Sequence, residues 1–119
     1  MSVSKKPKKL TAPSSDYTDI HGNVLTLRGS LTPATRREYA ATLAGSAGPA
    51  VTREDAWHRA VEFLFERLAI SWSIEGAPPI KRQRELLARL RVATVEERAW
   101  VREVLREHCA EHFPDVKAP

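Results

Sequence analysis

The stretch Thr52–Trp72, TREDAWHRAVEFLFERLAISW, decides how the rest of the chain is read. At 100° per residue, Trp57, Ala60, Val61, Leu64, Leu68 and Trp72 fall on one face about 120° wide, with Phe65 at its edge. Asp55, His58, Arg59, Glu62 and Glu66 gather on the other side. The segment therefore reads as an amphipathic helix bordering a core, not as a membrane span. Phe63 and Ile70 break the pattern. They lie one heptad apart and roughly 150° from the centre of the stripe, where a surface helix normally carries polar residues. Such a helix has covered surface on two sides.

A chain of 119 residues supports one domain with one modest core. Its lone cysteine, Cys109, can form no internal disulfide, which fits a reducing compartment. No apolar run of signal-peptide or membrane-spanning length appears, so the expected location is the cytoplasm. The formal charge of +4 would point to nucleic acid if it belonged to the folded body. It belongs to the N-terminus: Lys5, Lys6, Lys8 and Lys9 supply four of the 19 basic residues, leaving 15 against 15 acidic ones from Leu10 onward. Arginine dominates that remainder, a skew that GC-rich coding in a bacterium or its phage would produce.

Residues 1–15, rich in lysine, serine and proline, read as a disordered basic tail. Over 16–28, alternation around Gly22-Asn23 predicts a β-hairpin, with His21 a solvated turn residue. Leu31-Thr32-Pro33 starts a helix to Ala44 with a thin apolar face of Tyr39, Ala40 and Leu43. Thr52 with Asp55 resembles a capping box for the central helix, and residues 71–74 can turn extended before Gly76. A third helix spans 79–92, with Ile80, Leu86, Leu87 and Leu90 on one face and Lys81, Arg82, Arg84, Arg89 and Arg91 on the other. Thr94 with Glu97 forms the clearest capping box and opens a helix that Pro114 ends. The expected fold is thus mainly α: a four-helix domain with a short N-terminal β-hairpin over 16–113, flanked by the tail and a disordered C-terminal end over 114–119.

Catalytic signatures are sparse. His108-Cys109-Ala110-Glu111-His112 matches H-x-x-E-H, the inverted zinc-protease pattern, but His108 falls in the middle of an apolar stripe with Glu111 on its flank. Helix-end histidines interacting with the negative end of the dipole are the simpler reading. No phosphate-binding glycine loop, dinucleotide fingerprint or nucleophile elbow occurs. The expectation is a non-enzymatic protein without metal or cofactor. Trp57 and Trp100 are expected in the core, facing each other, and Trp72 at its margin. Phe63, Ile70 and Trp72 are the candidate protein-binding patch, which could also close a homodimer. The alternative is a nucleic-acid surface built from Lys5, Lys6, Lys8 and Lys9 with Lys81, Arg82, Arg84 and Arg89. Pairing between the basic third helix and the acidic fourth argues against it.

Three segments, GNVLTLRGSLTPATRREYAATL, EDAWHRAVEFLFERLAISWSIEGAP and RQRELLARLR, resemble in order and texture the tail assembly chaperones of actinobacterial siphophages. The resemblance runs from Tyr17 to about Phe113 and carries no diagnostic motif. It implies a mainly helical protein that binds tape-measure or tail-tube subunits before they polymerise, in the cytoplasm of a bacterial host. It transfers no catalytic residues.

Overall fold

The computed structural model describes residues 13–45 and 49–119. Most of the expected basic tail, Lys5, Lys6, Lys8 and Lys9 included, lies outside these residues. In chain order the elements are β1 (Ser14–Thr18), β2 (Val24–Arg28), α1 (Pro33–Ala44), α2 (Ala50–Leu68), β3 (Ala69–Ser73), α3 (Gln83–Arg91) and α4 (Val95–His112). The three strands form one antiparallel sheet in the order β1-β2-β3. The architecture is α+β, which corrects the mainly α class expected from the sequence.

The correction comes from the end of the central helix. α2 stops at Leu68 and the chain passes directly into β3, where Trp72 sits opposite Leu25 and Ala69 opposite Leu27. Leu68 and Trp72, four residues apart, satisfy helical spacing, but the apolar inner face of β2 needs a partner strand and Trp72 supplies it. Leu25, Leu27, Ala69 and Trp72 are all buried. The register shifts between Thr26 and Leu27, leaving Ile70 as the extra residue of a β-bulge at 36 % exposure. Beyond the turn at Gly76, whose φ of 80° suits the third position of a type II turn, Ile80 pairs with Trp72 through two backbone bonds of 2.9 and 3.0 Å. That bridge covers the outer edge of β3.

The expected hairpin forms, with Tyr17 opposite Leu25 and Ser15 opposite Leu27 on the inner face. Its turn is held by the Asp19 carboxylate, which accepts from the backbone N–H groups of His21 and Asn23 at 2.8 and 2.9 Å. Asn23, itself buried, accepts from the Glu75 N–H and so ties the first turn to the one after β3. On the outer face Thr26 donates to Asp16 across the strands at 2.7 Å.

α1 starts where Thr32 and Pro33 place it, with the Thr32 hydroxyl accepting from the Thr35 N–H. The proposed box at Thr52 does not form: the helix cap lies three residues earlier, at Pro49, and has no side-chain hydrogen bond. α3 is shorter than expected and begins at Gln83, whose side chain donates to the Glu66 carbonyl near the end of α2. The box at Thr94 and Glu97 is complete in both directions. Glu97 also accepts from Arg89 at 2.8 Å, and that bond, with the Thr94 N–H, holds its carboxyl below the usual range. Thr94→Ala is expected to destabilise the domain by about 1 kcal/mol, measurable as a lowered urea midpoint at unchanged slope.

Every element contributes to one contiguous core. Residues 114–119, expected to be disordered, close over it instead. Val116 is buried, Asp115 takes a bidentate bond from Arg36 at 3.0 Å, and the Tyr39 hydroxyl donates to the Lys117 carbonyl. The apolar Val116 three residues after Phe113 is what draws this end onto α1.

Candidate functional site

The side chains proposed as a binding patch do not form one surface. Phe63 packs against the Tyr39 ring of α1 at 6.0 Å, with the Arg67 guanidinium over its ring at 4.8 Å. Ile70 lies at the bulge in β3. Trp72 is only 2 % exposed, packed edge-on against Phe65 and under Arg89. The two-sided cover expected for the central helix is thus supplied in part by α1.

The tryptophan left outside is Trp57, at 41 % exposure, where the sequence placed it in the core. Its angle on the helix does match the buried stripe, for it lies one heptad before the fully buried Leu64. Its axial position was not legible. Toward the N-terminal half of α2, the helices that cover the stripe draw apart and leave a cleft of about 530 Å³. Glu54, Trp57, His58 and Val61 of α2 form one wall, and Val95, Arg98, Ala99 and Arg102 of α4 form the other. Leu90 and Arg91 at the end of α3 close the space between them. Val95 is 74 % exposed, as is most of neighbouring Val92. Large apolar side chains in that state around a concave site are the ordinary mark of a binding surface.

Charge within the cleft is uneven. Arg91 is neutralised by a two-pronged bond to Glu62 at 2.9 and 3.3 Å. Arg98 donates to the Ala93 carbonyl at 2.9 Å, a neutral partner. Arg102 has no hydrogen bond or ion pair among the described residues, and its Nε is shut from water without an acceptor. The α4 wall therefore carries positive charge without a carboxylate partner among the described residues, and the wall it faces sets Trp57 and Val61 beside Glu54 and His58.

A second polar cluster lies beneath the hairpin. His108, fully buried, approaches the Arg28 carbonyl with Nε2 and the Tyr17 hydroxyl with Nδ1, both at 2.8 Å. A carbonyl only accepts, so Nε2 carries the proton and Nδ1 accepts from the tyrosine. Burial lowers the pKa of His108 from its ordinary value. The His112 ring stacks at 4.4 Å, and its Nε2 lies 3.3 Å from the Ser15 hydroxyl. Both His108 nitrogens are thus committed to the fold, and no group of three potential metal ligands occurs among the described residues. Cys109 is buried and its thiol is pushed up to about 11, so at neutral pH it is protonated.

Of the alternative nucleic-acid residues, Arg89 is half-buried between Glu97 and Trp72, while Lys81, Arg82 and Arg84 remain on the surface around the start of α3. The basic and acidic helices pair in part, as Arg89 with Glu97. No described helix is long and apolar enough to cross a membrane. Comparison with protein families, curated proteins and solved structures finds no match for this chain.

Proposed function

We propose that this protein is a non-enzymatic protein-binding module, an assembly chaperone or adaptor whose partner seats in the cleft between α2 and α4. The observation that carries this reading is Trp57: a core-facing position by helical angle, left uncovered, with Val95 across from it and two arginines beside it. Tryptophan and arginine at a concave, partly apolar surface are the residue types that most often dominate protein–protein binding. The resemblance to siphophage tail assembly chaperones supplies the partner class, a tape-measure or tail-tube subunit held before polymerisation. Co-expression of the chain with such a subunit is expected to keep the subunit soluble and co-purifying. Trp57→Ala should weaken that capture by at least about tenfold, equivalent to roughly 1.4 kcal/mol, while leaving the far-ultraviolet circular dichroism unchanged. A subunit that stays insoluble with the wild-type chain overturns the chaperone reading.

A further inference from the structure

The two walls of the cleft share a geometry that narrows what can fill it. Trp57 and Val61 follow one another up α2 at helical spacing, as Val95, Arg98 and Arg102 do along α4. The span from Val95 to Arg102 is seven residues, about 10 Å or two helical turns. The floor, Val61 and Leu90, is already buried and continuous with the core. A trough of this length, apolar at its base and bounded by two helices, accommodates the apolar stripe of a third helix.

Charge decides which helix. Arg98 and Arg102 stand one turn apart on α4 and neither is paired with a carboxylate among the described residues, whereas Arg91 across the floor is already held by Glu62. Arg102 makes no hydrogen bond among the described residues, and a carboxylate from an occupant would give the terminal nitrogens of its guanidinium an acceptor. The chain's own first 12 residues carry four lysines and no acidic residue, so they do not complement this wall. A second copy docked cleft to cleft about a two-fold axis would bring in its own Arg98 and Arg102 and so double the unpaired positive charge at the seam.

We propose that the cleft is a docking groove for about two turns of an amphipathic, acidic helix of a partner protein, its apolar stripe against Trp57 and Val95 and a carboxylate on Arg102. The proposal rests on the protein-binding reading above and adds the chemistry of the bound segment.

The test uses the full chain and two synthetic helix-forming peptides with the same leucine stripe, one flanked by glutamate and the other by lysine. Calorimetric titration is expected to show the glutamate peptide binding at least about tenfold more tightly. The double substitution Arg98→Glu with Arg102→Glu should reverse that order, and Trp57→Ala should weaken both peptides, with circular dichroism confirming that each variant is folded. Equal binding of the two peptides, or binding of neither, overturns the proposal. So does a chain that light scattering shows to be a dimer and that Trp57→Ala makes monomeric, because the groove is then filled by a second copy. If a tape-measure or tail-tube subunit still co-purifies with the double variant as with the wild type, the groove proposal falls and the protein-binding reading stands.

Discussion

Trp72→Ala is expected to cost about 3–5 kcal/mol and to lower the melting temperature by roughly 15 °C, enough to leave much of the chain unfolded at physiological temperature. Trp72 joins the two layers of the fold. It pairs with Leu25 across the sheet, bonds through its backbone to Ile80, meets Phe65 of α2 edge-on at 5.7 Å and lies under the Arg89 guanidinium at 5.2 Å. Truncation therefore opens a cavity where sheet and helices meet. Trp72→Phe separates packing from polarity. The indole N–H is buried without an acceptor among the described residues, so phenylalanine loses area but removes an unsatisfied donor. Its cost should stay below about 1.5 kcal/mol. Denaturant unfolding of both variants checks the contrast, and equal destabilisation would show that a phenyl ring recovers none of the packing and that the indole itself is required.

The second large effect belongs to His108. His108→Ala leaves the Tyr17 hydroxyl and the Arg28 carbonyl without their partner and empties a fully buried position, for an expected loss of about 3–5 kcal/mol. The wild-type histidine should also make stability depend on pH. Its folded pKa lies below the ordinary value, chiefly because burial disfavours the charged ring. As pH falls below about 6.5, the unfolded chain takes up this proton before the folded one does, so folding stability declines until pH reaches the folded value. Above about 6.5 both states hold a neutral ring and this contribution is flat. His108→Gln keeps a donor for the Arg28 carbonyl and cannot titrate. Chemical unfolding between pH 7 and about 5 should show the decline in the wild type and a shallower one in that variant. A steeper or unchanged slope would locate the acid sensitivity elsewhere.

Local signals were legible wherever a backbone group is satisfied by a near neighbour. Thr32-Pro33, Thr94 with Glu97, and Gly22-Asn23 each mark the boundary they are built for, because the cap or turn is completed within a few residues. The box at Thr52 fails because α2 extends past it toward Pro49. The third strand was less legible, since Leu68 and Trp72 fit a helix and the bulge at Ile70 spoils simple alternation in β3. What pulls these residues into the sheet is the inner face of β2, more than forty residues upstream. Trp57 and Trp72 exchanged their expected places for the same reason. A helical wheel gives the angle of a side chain and says nothing about where along the axis its neighbours stop. His108, polar in the centre of an apolar stripe, was visible as an anomaly, but its partners Tyr17 and Arg28 come from the other end of the chain. Arg102 could not be singled out at all, because an unpaired arginine is indistinguishable in sequence from its paired neighbours.

The bond between Tyr17 and His108, and the pairing of β2 with β3, bear on the order in which the molecule can be made. A ribosome delivers the hairpin first, yet a two-stranded ribbon is at best marginal alone, and its inner face meets β3 only after α1 and α2 have been synthesised. Tyr17 must wait still longer, for α4 follows α3 in the chain. The closing contacts link positions 91 residues apart, so loop closure is costly and the final structure cannot assemble piecewise during translation. Until α4 and the clasp of Val116 are in place, the core to which Leu25 and Leu27 belong is incomplete. A chain cut short before α4 would thus leave the apolar core unfinished, and the delivery of α4 is the step that commits this domain to its fold.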